Sequence, residues 1–259
     1  PSGSFFAKQE GSVWQMPPLF ERLRRKKHAG PRCSMVVPAA GSSARMEGMD
    51  KILLPLGDVP ILIRTLQALE NCPLVQEIIV VTRQDLIVPA GQLCKDFDLQ
   101  KVRKLVVGGA TRTQSVLAGV RETDPAADVI GVHDGARPFV TPEVLEQVIL
   151  RAAECGAAAS AVPVHDTIKR AAGGLVEETL NREELFAVQT PQVFEPSLIK
   201  AALQKAAEEG AALTDDCAAV ERLGMTVCLT RGSDENIKIT TPADLNLGLG
   251  ILNGRGELV

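Results

Sequence analysis

Short apolar runs alternate with amphipathic segments from residue 35 onward. The apolar runs, which are typical of buried strands, cover residues 35–39, 78–82, 105–107, 129–133 and 158–164. Helical spacing of apolar residues marks the segments 61–69, 113–121, 142–155, 195–209 and 215–222. A strand is predicted over 225–230, and a last helix is predicted after Pro242. This alternation predicts an α/β fold: a Rossmann-like, mostly parallel sheet with helices on both faces.

One region departs from the alternation. Residues 167–170 and 175–180 read as two short strands, and the small residues 171–174 form the turn between them, which predicts a β-hairpin. The hairpin has little apolar surface of its own and would be marginal in isolation. We therefore expect it to project from the sheet as a dimerisation arm that packs on a second subunit.

Composition and charge exclude several classes of protein. The 259 residues carry a formal net charge of −4 and 3% aromatic residues, which argues against a nucleic-acid partner. Uninterrupted apolar stretches stay too short for a membrane span. The six cysteines form no CxxC pair and only three histidines accompany them, so the spacing predicts no zinc site and favours a cytoplasmic protein.

The first 32 residues differ in composition from the rest of the chain. They are rich in Gly, Ser and Pro and contain a basic run over residues 22–28, without the apolar segment of a secretory signal. We expect residues 1–32 to form a flexible basic extension and residues 33–259 a single domain, with the arm at about 165–182.

The first apolar run ends in a turn of small residues. Ala39, Ala40, Gly41 and Ser42 allow a ligand to approach the backbone closely, and their N–H groups can hold phosphate oxygens. Arg45 and Lys51 follow, and two cations beside such a turn suit a reaction that builds negative charge on phosphate. The pattern is neither GxGxxG nor a P-loop. An ordinary strand-to-loop junction is the alternative.

A second strand end carries a pair of glycines. Gly109 and its neighbour permit close backbone approach, and Arg112 and Ser115 can donate to a nucleobase or a ribose. Alternatively, Thr111 or Thr113 caps the following helix and Arg112 is solvated.

Three further charged residues are candidates for a phosphate site. Asp134, at the end of a third strand, can meet a divalent cation or cap its own turn. Lys238 lies among apolar residues in a strand-like run, where it would either contact phosphate or protect a sheet edge. Arg170 on the hairpin has the same two interpretations, whereas His133 is better explained by packing.

The order of these segments resembles one family. The chain is similar to the 2-C-methyl-D-erythritol 4-phosphate cytidylyltransferases in VVPAAGSSARM (36–46), GGATRTQSV (108–116), HDGARP (133–138), DTIKR (166–170), QTPQVF (189–194), TDDCAAVE (214–221) and NIKITTPADL (236–245). The resemblance implies a homodimeric nucleotidyltransferase that transfers CMP from CTP to 2-C-methyl-D-erythritol 4-phosphate for non-mevalonate isoprenoid synthesis. It also implies Mg²⁺ or another divalent cation as cofactor, and release of pyrophosphate.

The resemblance assigns roles residue by residue. The residues that match the CTP site are Ala39, Ala40, Gly41, Ser42, Gly109, Arg112, Ser115 and Asp134. Those that match the site of methylerythritol phosphate are Asp134, Arg137, Arg170, Thr179, Thr190 and Lys238. Arg45, Lys51, Arg170 and Lys238 match the catalytic residues, and Asp134 matches the metal ligand. The hairpin matches the arm that interlocks two subunits, so Arg170 is expected to serve a shared site.

Two departures and two rival functions accompany this resemblance. The chain has Asp50-Lys51-Ile52 where Pro-Lys-Gln is common, and Gly135 where Ala is usual. A ribitol-5-phosphate cytidylyltransferase would share the fold and the CTP chemistry, but Ala39-Ala40 and Arg170 favour methylerythritol phosphate. A nucleotide-binding module without catalysis is the other alternative, although it would need no transition-state cations.

Overall fold

A seven-stranded sheet organises the part of the chain that this computed structural model describes: residues 30–41 and 51–258, with the backbone alone of Lys51. The strands are β1 (Cys33–Pro38), β2 (Pro55–Leu56), β3 (Val59–Pro60), β4 (Val75–Thr82), β5 (Val102–Val107), β6 (Val129–Val132), β7 (Ala157–Pro163), β8 (Lys169–Ala172), β9 (Leu175–Thr179), β10 (Phe186–Phe194) and β11 (Cys228–Arg231). The predicted extension therefore lies almost entirely outside the described residues.

Helices follow most of the strands. They are α1 (Ile61–Glu70), α2 (Ile87–Asp96), α3 (Arg112–Arg121), α4 (Pro142–Cys155), α5 (Pro196–Glu208), α6 (Cys217–Glu221) and α7 (Pro242–Gly254), with 3-10 turns at Lys51–Leu53, Gln84–Leu86 and Arg182–Glu184. Residues Pro31–Val259 cluster as one compact unit. Within the described ranges, no helix has the length and apolar character that crossing a membrane requires.

The sheet has the order β11-β7-β10-β6-β1-β4-β5. Its neighbouring strands run parallel, except that β10 is antiparallel to both β6 and β7. The mostly parallel sheet predicted from the alternation is confirmed. The smaller pairs β2-β3 and β8-β9 form separate two-stranded sheets.

Both faces of the sheet are covered, as continuous apolar strands require. Successive residues of β1 enter different hydrophobic clusters: Met35 packs with Leu66 of α1 and Ile149 of α4, whereas Val36 packs with Val116 of α3 and Leu203 of α5. The alternation of side chains along a strand thus divides the core into two layers, one under each set of helices.

The limits of several helices follow from capping chemistry. The predicted helix 142–155 is found at those bounds, because the Thr141 hydroxyl accepts a hydrogen bond from the Val144 N–H at 3.4 Å and Gly156 ends the helix at φ +84°. The predicted segments 215–222 and 225–230 are shorter in the structure, as α6 and β11.

Helix α2 and strand β10 were not predicted from the sequence, because both contain residues that disrupt periodicity. Helix α2 has Pro89 and Gly91 near its start, which lower helix propensity. Strand β10 contains Pro191 within a polar stretch, and its register shifts between Val188 and Gln192. Pairing with β6 and β7 and burial of Val193 and Phe194 stabilise β10 as a strand.

The predicted hairpin is present as β8 and β9. Its turn residues Gly173 and Gly174 have φ of +56° and +81°, as a tight two-residue hairpin turn requires. All residues of the two strands are exposed, including Leu175 at 76% and Val176 at 62%. Its role as a dimerisation arm stays a prediction.

A buried histidine fastens the turn after β6. The His133 side chain is fully buried, with Nε2 at 3.1 Å from the Arg137 carbonyl oxygen and Nδ1 at 3.2 Å from the Thr190 hydroxyl. A carbonyl can only accept, so Nε2 carries the proton and Nδ1 accepts from Thr190. Burial lowers the pKa of His133 to about 4. The imidazole is therefore neutral and serves the packing role expected of it.

Stability should fall on acidification because of His133. The unfolded chain binds a proton near the ordinary pKa of 6.5, whereas the folded chain does so only near about 4. The stability contributed by the neutral ring is therefore lost as pH falls between those values, by about 2 kcal/mol from about pH 7 to about pH 5. We expect His133→Gln to lower stability at neutral pH but to flatten this dependence, as measured by urea unfolding without added divalent cations.

The control is His165→Gln, since the His165 side chain is 78% exposed. This variant should keep the pH dependence of the wild type. An equal slope in wild type and His133→Gln would contradict the assignment.

Candidate active site

A cleft of about 430 Å³ opens at the carboxyl ends of β1, β5 and β6. Backbone hydrogen bonds tie the turns after β1 and β5 to the end of β4, from Ala39 N–H to the Val81 carbonyl at 2.7 Å and from Gly108 N–H to the Thr82 carbonyl at 2.9 Å. The residues that line the cleft are Pro38, Ala39, Ala40, Gly41, Ile52, Gly109, Ala110, Thr111, Arg112, Ser115, Asp134, Gly135, Ala136 and Lys238.

The small-residue turn after β1 forms one wall of the cleft. Ala39, Ala40 and Gly41 line it, and a Cβ built on Gly41 would meet no atom of the described residues within 4 Å. Ser42 and Arg45 lie outside the described residues, as does the side chain of Lys51. Ile52, the residue after Lys51, lines the cleft.

The glycine pair before α3 is fixed by the helix itself. A Cβ on Gly108 would lie 2.7 Å from Ser115 Oγ, and one on Gly109 would lie 2.4 Å from Gln114 Cβ. The Ser115 hydroxyl accepts a hydrogen bond from the Gly109 N–H at 3.1 Å. Thr111 caps α3 in a capping box with Gln114, so the capping alternative for Thr111 is confirmed. Ser115 therefore stiffens the loop that lines the cleft.

Arg112 is clamped by a residue that the sequence analysis did not assign. Its Nη1 and Nη2 donate to the two carboxylate oxygens of Asp216 at 2.8 and 2.7 Å, and Asp216 is 1% exposed. Burial lowers the pKa of Arg112, but the charge and hydrogen bonds of Asp216 outweigh it and raise the pKa above the ordinary value. The Thr-Asp-Asp sequence before α6 was the available signal for this clamp.

Asp134 lies at the centre of a group of cations. Its Oδ2 is 2.8 Å from Lys238 Nζ and 3.5 Å from Arg137 Nε, and its Oδ1 is 4.0 Å from Arg112 Nη2. Burial raises the pKa of Asp134, but the three cations outweigh it and hold the pKa at about 2. The structure thus brings together four of the charged residues that the sequence singled out, with the carboxylate ionised at physiological pH.

Lys238 reaches the cleft from a loop, so the strand-like interpretation of its segment was wrong. Residues 232–241 form no strand, and the Ile239 N–H makes a single backbone bond to the Ala136 carbonyl at 2.8 Å. Arg137 Nη1 also donates to the Asn236 carbonyl at 2.6 Å. These bonds fasten the loop to the turn after β6. Ile239 is buried in a hydrophobic cluster and Ile237 packs against it, which explains the apolar, alternating pattern without a sheet.

Four of the predicted substrate residues do not line the cleft: Arg137, Arg170, Thr179 and Thr190. Arg137 contacts the lining residue Asp134. Thr190 is buried behind Asp134, and its hydroxyl accepts a hydrogen bond from the Asp134 N–H at 3.0 Å. Arg170 and Thr179 lie on the hairpin, where Arg170 pairs with Glu178 at 2.7 Å and Thr179 accepts from Lys169 at 2.6 Å. Within a single chain, the described residues thus place Thr190 against the site and leave the hairpin pair apart from it.

The donor set of the cleft fits a hard divalent cation held jointly with a ligand. Among the described residues, Asp134 is the one carboxylate that lines the cleft, and no group of three or more His, Cys, Asp or Glu residues is placed to hold a metal. Oδ1 of Asp134 is beyond hydrogen-bond distance of Arg112. One free carboxylate oxygen is what Mg²⁺ uses when phosphates supply its other ligands.

Sequence comparisons identify the relatives of this chain. Residues 33–253 match the profile of the 2-C-methyl-D-erythritol 4-phosphate cytidylyltransferase family. Proteins of that name from Halalkalibacterium halodurans and Bacillus velezensis are 44% and 46% identical to the chain. The first match covers 85% of this chain and 96% of the relative, and the second covers 82% and 91%.

Solved structures give the same result. The 4-diphosphocytidyl-2C-methyl-D-erythritol synthase of Anaerococcus prevotii superposes with a TM-score of 0.78 at 30% identity, covering 86% of this chain and 96% of that one. The 2-C-methyl-D-erythritol 4-phosphate cytidylyltransferase of Thermus thermophilus gives 0.71 at 30% identity, covering 86% and 99%. Neither the ribitol-5-phosphate enzyme nor a binding module is favoured by these matches. The chain belongs to the 2-C-methyl-D-erythritol 4-phosphate cytidylyltransferase family.

Proposed function

We propose that this chain transfers CMP from CTP to 2-C-methyl-D-erythritol 4-phosphate in the cytoplasm, for isoprenoid precursor synthesis. The observation that carries the proposal is the ionised Asp134 in a cleft with Lys238 and Arg112, in contact with Arg137 and beside the small-residue turn after β1. A triphosphate and a second phosphate both need cations there, and family membership names the pair of substrates.

CTP binds along the β1 and β5 side of the cleft in this proposal. The turn at Ala39, Ala40 and Gly41, continued by Ser42, holds the triphosphate through the backbone N–H groups that follow Ala39, since the Ala39 N–H is bonded to the Val81 carbonyl. Gly109 and Arg112 meet the cytosine and the ribose, and Ser115 holds their loop in place. Because the Asp216 carboxylate accepts hydrogen bonds from both Nη1 and Nη2 of Arg112, that side chain is oriented before CTP arrives.

The reaction is an in-line displacement on the α-phosphorus of CTP. A phosphate oxygen of methylerythritol phosphate forms the new P–O bond as the bond to pyrophosphate breaks, and both electrons of that bond leave with pyrophosphate. The nucleophile is already an anion, so no general base is required. Arg45, Lys51 and Lys238 stabilise the charge that develops on the phosphoryl oxygens.

Asp134 is the residue that would hold Mg²⁺, through its Oδ1. The ion, when bound, supplies charge neutralisation to the phosphates of CTP. Asp134 also orients Lys238 and Arg137 through Oδ2, since its carboxylate contacts both. Its low pKa keeps it ionised in both tasks.

Methylerythritol phosphate binds between Arg137 and Lys238, and the hairpin completes its site from a second subunit. Arg170 and Thr179 do not line the cleft of their own chain, and the exposed Leu175 and Val176 give the hairpin apolar surface for a partner. In the proposed homodimer, Arg170 of one subunit therefore serves the cleft of the other. Thr190 assists by holding the backbone of Asp134.

Release of pyrophosphate by the purified chain with CTP and Mg²⁺ tests the substrate. We expect release with methylerythritol 4-phosphate, none above background with ribitol 5-phosphate, and loss of release when EDTA exceeds the metal. Release with ribitol 5-phosphate alone would contradict the substrate. If neither substrate gave pyrophosphate release and the folded protein still bound CTP, the result would support a binding module.

Replacing the central carboxylate should abolish most of the activity. Asp134→Asn keeps the shape but removes the charge that holds the metal and the two cations, and we expect kcat to fall by about 10²-fold or more. Steady-state kinetics over a Mg²⁺ series measures this. Asp128→Asn, which alters an exposed carboxylate paired with Arg32, should behave like the wild type. Near-normal kcat in Asp134→Asn would contradict the role.

Mixing two inactive variants tests the shared site. In a mixed dimer of Arg170→Ala and Lys238→Ala, a crossing arm gives one of the two clefts both intact residues. Because about half of randomly paired dimers are mixed, mixing should restore about one quarter of wild-type activity. Arms that served their own clefts would restore nothing. Lys238→Ala mixed with Asp134→Asn is the control, because both residues lie in the same cleft and no pairing restores it.

A further inference from the structure

Asn236 is a fully buried polar side chain that has no part in the proposed chemistry. Its Nδ2 donates to Gln189 Oε1 at 3.2 Å and to the Thr190 carbonyl at 2.9 Å. Both partners are acceptors, so the amide nitrogen must face them. The side chain is thereby anchored to β10 at two points.

The backbone around Asn236 binds one of the cations that contact Asp134 and carries another. Its carbonyl accepts the 2.6 Å hydrogen bond from Arg137 Nη1, and Lys238, two residues later, reaches Asp134 Oδ2 at 2.8 Å. No strand supports this segment. The two hydrogen bonds to β10 therefore hold the segment that binds Arg137 and carries Lys238.

The remaining atom of the side chain shows that this anchor is costly. Asn236 Oδ1 is buried and has no hydrogen-bond partner among the described residues. A buried acceptor without a partner lowers stability, which a well-packed apolar residue would avoid. The two bonds from Nδ2 thus hold the loop in one arrangement at the expense of an unsatisfied acceptor.

We infer that Asn236 is a positioning residue, which sets Arg137 and Lys238 at the separation that the phosphate of the second substrate requires. The inference rests on the proposed function, in which these two cations bind methylerythritol phosphate. Asn236 itself does not line the cleft and touches neither substrate. The CTP loops at Ala39–Gly41 and Gly109 are held by other bonds, so a change at Asn236 acts on one substrate.

Asn236→Asp tests the inference, since it keeps the shape and turns the donor into an acceptor that faces two other acceptors. We expect KM for methylerythritol phosphate to rise about 10-fold and kcat to fall about 10-fold, with KM for CTP within about twofold of the wild type. Steady-state kinetics with each substrate varied in turn measures the split, and thermal unfolding measures stability separately. Asn236→Ser, which is neutral and keeps one donor, should show a smaller shift in the same direction and serves if Asn236→Asp does not fold.

Thr123→Val is the matched control. Thr123 is buried and makes one hydrogen bond, to the Val120 carbonyl at 2.8 Å just after α3, so its replacement should cost stability and leave both KM values unchanged. A folded Asn236 variant with unchanged kinetics, or with both KM values raised equally, would overturn the inference. A wild type that does not use methylerythritol phosphate would instead overturn the proposed function, and the inference with it.

Discussion

The buried carboxylate of Asp134 is the constraint on which the site depends. A buried charge is tolerated only when opposite charges and hydrogen bonds compensate for its lost hydration. Here the compensation comes from Arg112 at the start of α3, Arg137 in the turn after β6 and Lys238 in the loop before α7. Conversely, these cations would repel one another without Asp134. One carboxylate thus draws three separate segments to the same end of the sheet.

The elements that this constraint joins were largely visible in the sequence. The parallel strands β1, β4 and β6 are continuous apolar runs, and α4 has a capping threonine before it and a glycine after it. Parallel strands end at the same edge, so the turns that follow them had to converge. For that reason, Asp134 and Arg112 could be placed in one site from their positions alone.

The residues that hold the site in place were harder to predict. Asp216 and Asn236 act through partners about 100 and 47 residues away in the chain, and no local pattern specifies such a pairing. Lys238 resembled a strand residue because a loop fastened by apolar side chains also alternates. Strand β10 is defined by its neighbours, since its own sequence contains proline and polar residues where a strand is expected to be regular.

The direction of β10 has a consequence for how the molecule can vary. Strand β7 ends at Pro163, and β10 begins beside it at Phe186, so the chain leaves the sheet and re-enters it at the same end of these two strands. A parallel strand there would have required a crossover to the opposite end of the strands. The intervening segment is instead an insertion whose length is independent of the sheet. Such an architecture lets the length of the hairpin diverge between relatives while the strand register and the charged group around Asp134 stay the same.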